Sequence, residues 1–471
     1  MEMKKIYLFY LVSFIFFSYK TNEGRTKVGT KPPNIIFLLT DDQRFDALGI
    51  MGNNIVQTPN LDQLAKDGHL FKNTFVTTSI CSTSRASIFS GQYARRHGIN
   101  DFVTSFTDTA WSNSYPALLK KKGYYMGFIG KFGVGEEKDM PKNTFDYWKG
   151  FGGWGYYETI NANGDSIHLT RRIGDESVDF LELASKAEAP FCLSVSFKAP
   201  HSQDGDERQF IVDPVFDTIL NNVTIPEEPL NKDEYYNSFS EKFRERNEAR
   251  HRWNIRFSTP DKYQTMVKNY YKLIYGVDLV VKRIRDELAQ RSLDKNTIII
   301  FASDNGFYLG EYGLAGKWYG HEESIRVPMI IYDPRMEIKG KQINHIALNI
   351  DIAPTILGLA GINIPEIMQG KSLLPLLNDE NASTRDEFFY EHQFIRADWG
   401  HKPYIPGVEG VVRKDVKYMR YMHGGDTVVY EELFDKKVAD NELNNLIDKE
   451  AYQALKQELS SQVDFYKNAL R

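Results

Sequence analysis

Cys81 and Arg85 stand four residues apart in the run Ile80-Cys81-Ser82-Thr83-Ser84-Arg85-Ala86-Ser87, among small hydroxyl side chains. A helix opening here would place the guanidinium one turn beyond the thiol. Its free N–H groups and positive dipole end would face an anion. A lone cysteine in such surroundings is a candidate nucleophile. The plainer alternative is a buried structural thiol beside a capped helix. Asp41-Asp42 and Asp304-Asn305 offer a second kind of chemistry. Four oxygen donors without a neighbouring histidine pair suit Ca²⁺, or less well Mg²⁺, rather than Zn²⁺. Either pair alone would pass for turn chemistry.

Each pair closes an apolar run. Asn34 to Leu39 leads into Thr40-Asp41-Asp42, and Thr297 to Phe301 leads into Ala302-Ser303-Asp304-Asn305-Gly306. A third run, Phe191 to Phe197, leads into Ala199-Pro200-His201. Such runs predict strands buried on both faces, with functional residues at their carboxyl edge. Thr58-Pro59-Asn60 opens a helix with Pro59 at its first position and Gly68 at its stop. Met266, Tyr270, Leu273, Val277, Val280, Ile284 and Leu288 predict a long helix covering one face of the sheet.

The fold class is therefore α/β, a mostly parallel or mixed central sheet sandwiched by helices, with its sites beyond the carboxyl ends of the strands. Near Asn381 the texture changes to short β-like runs, Phe388 to Phe394, Val408 to Val412, Tyr418 to Met422 and Val428 to Phe434. A final amphipathic helix carries Leu455, Leu459, Val463, Tyr466 and Leu470. The expected division is an α/β catalytic domain over 31–380 and a smaller C-terminal subdomain over 381–471, an antiparallel sheet plus a helix.

The 471 residues carry 58 basic and 63 acidic side chains, a formal net charge of −5, so no global basic field marks a nucleic-acid binder. Lys4 and Lys5 precede the apolar run Ile6 to Phe17 and then polar Ser18 to Asn22. That is the layout of a signal peptide over residues 1–23, too short to span a bilayer. The expectation is an exported protein, periplasmic or secreted, with no stable membrane span; an uncleaved anchor is the alternative. Cys192, the only other cysteine, lies inside an apolar run and reads as a buried, inert thiol.

Cys81-Ser82-Thr83-Ser84-Arg85 resembles the signature of the type I, formylglycine-dependent sulfatases of the alkaline-phosphatase superfamily, with Thr83 where that signature has proline or alanine. The resemblance runs along almost the whole mature chain. Asn34 to Asp42 looks like the family's opening strand and metal motif, Gly130-Lys131 its G-K motif, and Ala199-Pro200-His201 its P-H motif. Ser303-Asp304-Asn305-Gly306 looks like the second metal motif, and Lys317 with Glu322 to Pro328 the segment beyond it.

The resemblance implies that a maturation enzyme oxidises Cys81 to formylglycine (3-oxoalanine). It implies that Asp41, Asp42, Asp304 and Asn305, with residue 81 itself, hold Ca²⁺. Arg85, Lys131 and Lys317 would surround the sulfate with positive charge, and His201 would stabilise or protonate the departing sugar oxygen. Gly133 stands where the family has a histidine; either another group, such as His69, His97 or a water, assists sulfate expulsion in its place, or that step is less assisted. The implied reaction is hydrolysis of the sulfate esters of a sulfated carbohydrate, a polysaccharide such as algal ulvan or its oligosaccharides. His321, near Lys317, and Trp154, in the aromatic and glycine-rich stretch Phe145 to Tyr157, are candidate substrate contacts. Arg244 to Arg256 reads as a solvated helix or as a contact surface for an anionic polymer. Two alternatives stand beside this reading, a phosphomonoester or phosphodiester hydrolase on the same fold and a non-catalytic sulfated-glycan binder.

Overall fold

The computed structural model describes residues 31–379, 382–393, 404–423, 425, 427–438 and 442–471. The expected signal peptide, Phe394 at the end of one expected strand, and the expected domain boundary at residues 380 and 381 lie outside the described residues.

An eight-stranded sheet forms the centre. Its order is Lys341–Leu348, His69–Phe75, Arg326–Tyr332, Thr297–Ser303, Asn34–Asp41, Phe191–Pro200, Tyr125–Lys131 and Tyr147–Phe151. All strands run parallel except Arg326–Tyr332, which is antiparallel to both neighbours. The carboxyl ends at Asp41, Lys131, Pro200 and Ser303 therefore meet at one edge. Every residue of Asn34–Asp41 is buried, because parallel partners flank it and helices cover both faces.

Alternation along that strand separates the two layers. Ile36 and Leu38 join the core beneath the helices Pro260–Gln290, Leu169–Ser185 and Pro59–Asp67. Ile35, Phe37 and Leu39 join the core beneath Cys81–Ser90, Tyr115–Lys121 and Ile352–Leu359. Among the described residues no helix is long and apolar enough to cross a membrane.

The C-terminal part is a four-stranded antiparallel sheet, Glu387–His392, Gly407–Arg413, Val416–Met422 and Val428–Asp435, closed by the helix Gln453–Ala469. Its core is not separate. Phe388, Tyr390, Tyr418 and Tyr421 pack in one cluster with Val76, Ile80, Tyr308, Trp318 and Tyr319 from the larger sheet's loops. The small sheet thus leans on the segments just before Cys81 and just after Lys317.

Candidate active site

Asp41 closes the central strand, and Asp42 turns the chain in the left-handed region at φ 67°, a conformation aspartate tolerates better than most side chains. The turn is tied down from three sides. The Tyr270 hydroxyl donates to the Asp42 carbonyl at 2.7 Å and accepts from Arg44 N at 3.1 Å. Asp42 N donates to Asp304 Oδ1 at 3.2 Å, and Gln43 N donates to Ser303 Oγ at 3.0 Å. Asn305 Nδ2 donates to Asp42 Oδ1 at 2.5 Å, which fixes the amide's orientation.

That orientation leaves Asn305 Oδ1 buried without a partner, and Asp41 Oδ1 is in the same condition. Buried polar atoms are normally satisfied, so two orphaned oxygens in one cluster, beside two further carboxylates, fit a hard divalent cation. Ligand atoms of Asp41, Asp42 and His201 also lie within 4.8 Å of one another.

Cys81 is the first residue of the helix Cys81–Ser90, at its positive end. Lys317 Nζ stands 3.9 Å from its Sγ and pairs with Asp42. Lys131 pairs with Asp41. Arg85 reaches across the cluster, with Nε donating to Asp304 Oδ2 at 2.8 Å and Nη2 to Asp41 Oδ2 at 3.3 Å. Its Nη1 donates to the Lys131 carbonyl at 2.6 Å and to Ser196 Oγ. Three carboxylates and three fixed cations thus balance in a fully buried site. A divalent cation would leave the cluster with two positive charges, matched to an anionic ester.

Burial sets the protonation states. It pushes the Cys81 thiol up despite Lys131 and Lys317, so the neighbouring cations do not by themselves make a thiolate here. Burial also opposes ionisation of Asp41, yet Lys131, His201, Arg85 and Lys317 together hold that carboxyl far below the usual range. Burial and the neighbouring Asp41 charge push Asp304 up to about 6 against Arg85. His201 falls to about 4 through burial, which outweighs Asp42 and Asp41. Its Nδ1 lies 2.5 Å from the Ser202 carbonyl, which fixes the proton there, and its Nε2 lies 3.6 Å from Asp42 Oδ2.

The family model described as Sulfatase matches residues 33–362, and one described as N-sulphoglucosamine sulphohydrolase, C-terminal, matches residues 310–469. The chain belongs to the sulfatase family. As a sulfatase it is a sulfuric ester hydrolase. It is similar to an N-acetylglucosamine-6-O-sulfatase of Bacteroides thetaiotaomicron, at 28% identity over 92% of this chain and 86% of that one. It is similar to an arylsulfatase of Clostridium perfringens, at 30% identity over 89% of this chain and 91% of that one. A solved structure of a protein in complex with its substrate D-glucosamine-2-N,6-O-disulfate superposes with a TM-score of 0.77 at 26% identity, over 93% of this chain and 98% of that one.

Not every expected residue joins the sulfatase cluster. His321 is corrected: it is buried, with the Tyr308 hydroxyl 2.6 Å from Nδ1 and Glu432 Oε1 3.2 Å from Nε2, so it has no free nitrogen for a substrate. It ties the small sheet, through Glu432, to the two-stranded hairpin that carries Tyr308. Trp154 is 51% exposed, beside a groove rather than in the cluster. His97 pairs with Ser87 Oγ at 3.0 Å and accepts from Ile99 N, a local turn. His69 begins a strand whose opposite end leads to Cys81; it pairs with Ile331, itself level with Ile300 in the middle of Thr297–Ser303, so it stands back from the carboxyl edge. At Gly133, with φ +75°, a Cβ would sit 2.7 Å from Arg85 Cδ, so a side chain there would displace the guanidinium.

Arg244 to Arg256 includes the helix Glu248–Arg256, which is solvated on one side only: His251, Asn254 and Ile255 are exposed, whereas Ala249 and Arg256 are buried. Arg256 is 1% exposed and, with Arg252, is tied to Asp204.

Sequence reasoning missed Tyr390. Its hydroxyl donates to the Trp318 carbonyl at 2.7 Å and accepts from Ser79 N at 3.3 Å. Trp318, next to Lys317, has φ 88°, an outlying conformation for so large a residue. Tyr270 was expected only as a packing residue of the long helix. Nothing in the local pattern of either stretch signals these bonds.

Proposed function

We propose that this sulfatase removes sulfate from a sulfated carbohydrate, a polysaccharide or its oligosaccharides, using a formylglycine formed from Cys81 and one bound Ca²⁺, with Mg²⁺ the lesser candidate. The observation that carries this reading is the pair of buried, unpartnered oxygens Asp41 Oδ1 and Asn305 Oδ1, in one cluster with the Cys81 thiol and three cations. The relative named for N-acetylglucosamine-6-O-sulfate and the neighbour bound to a disulfated glucosamine support a carbohydrate as the substrate. Export to the periplasm or beyond and maturation by a formylglycine-generating enzyme complete the proposal, supported by the Lys4-Lys5 and Ile6 to Phe17 pattern and by the Cys81 to Arg85 signature.

Asp41, Asp42, Asp304 and Asn305 would hold the cation. When in place, the cation adds positive charge against the ester oxygens, and formylglycine supplies a hydrated aldehyde as a recyclable nucleophile. The remaining work falls to the chain's own side chains. A sulfate ester shields its sulfur with anionic oxygens, which fixed positive charge must neutralise before a nucleophile approaches. Arg85, Lys131 and Lys317 are preorganised for this by their carboxylate partners, and burial of the site strengthens each of these interactions. Lys317, beside residue 81, would orient the sulfate toward it. His201 keeps Nδ1–H on the Ser202 carbonyl, so Nε2 is the atom that faces the reaction. An arriving anion favours the protonated ring, from which Nε2 would give its proton to the departing sugar oxygen.

The test is metal content with activity. One Ca²⁺ per chain, activity lost to a strong chelator and restored by Ca²⁺ better than by Mg²⁺, and loss of both metal and activity in Asp304→Ala are expected. Full activity after chelation, with no metal by elemental analysis, would contradict the reading.

A further inference from the structure

A groove of about 500 Å³ opens beside the cluster, its lining including Trp154, Tyr156, Arg172, Lys198, Gln203 and Asp204. It shares a wall with the reacting centre. Lys198 precedes His201 by three positions, and its charge is felt among those of Lys131, Asp41 and Asp42. Tyr157 links the two sides, donating from its hydroxyl to the His201 carbonyl at 2.6 Å and from its backbone N to Gln203 Oε1 at 3.0 Å.

The rim is aromatic. Trp154 is 51% and Tyr156 72% exposed, large ring surfaces left to solvent at the mouth of a site for an anionic ester. Exposed ring faces of this kind are suited to stacking on an apolar sugar face.

The charges of the lining do not cancel. Its two carboxylates are each claimed by arginines: Asp204 by Arg252 at 3.1 Å and Arg256 at 2.8 Å, Glu158 by Arg208 at 2.9 Å. Its two cations are not matched in the same way. Lys198, 1% exposed, donates to the backbone carbonyls of Trp154 at 3.0 Å and Ser202 at 3.3 Å, and lies over the Tyr157 ring. Among the described residues no carboxylate pairs with it. Arg172 stands 3.5 Å from Glu176, a carboxyl that burial pushes up to about 7 and that neutralises it only in part. The 17-residue helix Leu169–Ser185 also starts at the groove, where Leu169 and Arg172 of its first turn both line the wall.

We propose that this groove binds a second, anionic sugar unit next to the sulfated one, with its ring against Trp154 and its carboxylate or sulfate toward Arg172. The sulfatase is thereby selective for polyanionic glycan chains over singly charged sugars. The inference rests on the sulfatase reading and adds to it the chemistry of the neighbouring residue.

The experiment uses three disaccharides that carry the same scissile sulfate ester, with a neutral sugar, a uronic acid or a second sulfated sugar beside it. Values of kcat/KM are measured for the wild-type enzyme and for Arg172→Gln, with an aryl sulfate as reference. Wild type is expected to favour at least one charged disaccharide over the neutral one by about 10-fold or more, the scale of a charge-assisted hydrogen bond. Which one it favours identifies the anion as carboxylate or sulfate. Arg172→Gln is expected to reduce that ratio to about 2 or less. As a half-buried helix residue, Arg172 is replaced with less risk to folding than buried Lys198. A Trp154→Ala variant checks the rim, with KM rising for all three disaccharides relative to the aryl sulfate. A wild-type ratio near 1, or a ratio that Arg172→Gln leaves unchanged, would overturn the proposal. No hydrolysis of any disaccharide or of the aryl sulfate would instead sink the sulfatase reading, and this inference with it.

Discussion

Replacing Tyr390 with phenylalanine removes one oxygen and keeps the ring, so no cavity forms. Two buried backbone groups lose their partner at once, the Trp318 carbonyl at 2.7 Å and Ser79 N–H at 3.3 Å. A buried polar group left unsatisfied costs about 1–3 kcal/mol, and the longer Ser79 bond belongs at the low end of that range. The loss of stability should therefore be about 2–4 kcal/mol, read as a shift of the urea midpoint. The functional effect is separable. Ser79 lies two residues before Cys81, and Trp318 follows Lys317 in an outlying conformation that the bond helps to hold. Displacements of about 1 Å at reacting groups cost up to about 10²-fold. The kcat of Tyr390→Phe on an aryl sulfate should thus fall about 10- to 100-fold, compared at equal modification of Cys81. A destabilised variant whose kcat stays within twofold of wild type would refute the reasoning and leave the small sheet a packing element only.

The remaining predictions concern two histidines. If His201 is the proton donor, His201→Ala should lose about 10²–10⁴-fold in kcat/KM on a sulfated sugar and far less on an activated aryl sulfate, whose leaving group needs no proton. Parallel losses on both would reduce His201 to a sulfate-binding residue. His392, fully buried on the strand that carries Tyr390, is held by burial at about 3. Between that value and its unfolded value near 6.5, the unfolded chain binds a proton that the folded chain refuses. Its contribution to stability is thus full above the unfolded value and declines as pH falls. Relative to His392→Gln, wild type should lose about 2 kcal/mol between pH 7 and pH 5 in urea unfolding. Parallel pH curves for the two proteins would exclude a neutral buried imidazole.

The sheet and its carboxyl edge were legible because parallel strands buried on both faces leave continuous apolar runs. Those ending at Asp41, His201 and Asp304 announced where side chains would converge. The long helix was legible from its three- and four-residue steps, although the same steps hid the hydroxyl of Tyr270 among packing residues. His321 misled because nearness to Lys317 in the chain says nothing about direction. The chain turns through Trp318, and the imidazole ends between Tyr308 and Glu432. Arg252 and Arg256 misled because the partner they share, Asp204, is far away in the chain and no local charge pattern points to it. The thiol's protonation was illegible for a related reason: neighbouring cations are visible in the sequence, whereas the burial that outweighs them is a property of the folded site.

The central claim is that residue 81 acts as formylglycine, and the mass of the peptide carrying it tests that claim most directly when measured alongside turnover. Protein made with an active maturation enzyme should yield a peptide lighter than the cysteine form by one sulfur-for-oxygen exchange less two hydrogens, with specific activity rising in proportion to the modified fraction. Cys81→Ser, which cannot be converted by a cysteine-specific enzyme, should fold and show no steady-state turnover. Full turnover from protein whose Cys81 peptide carries only an unmodified thiol would contradict the account.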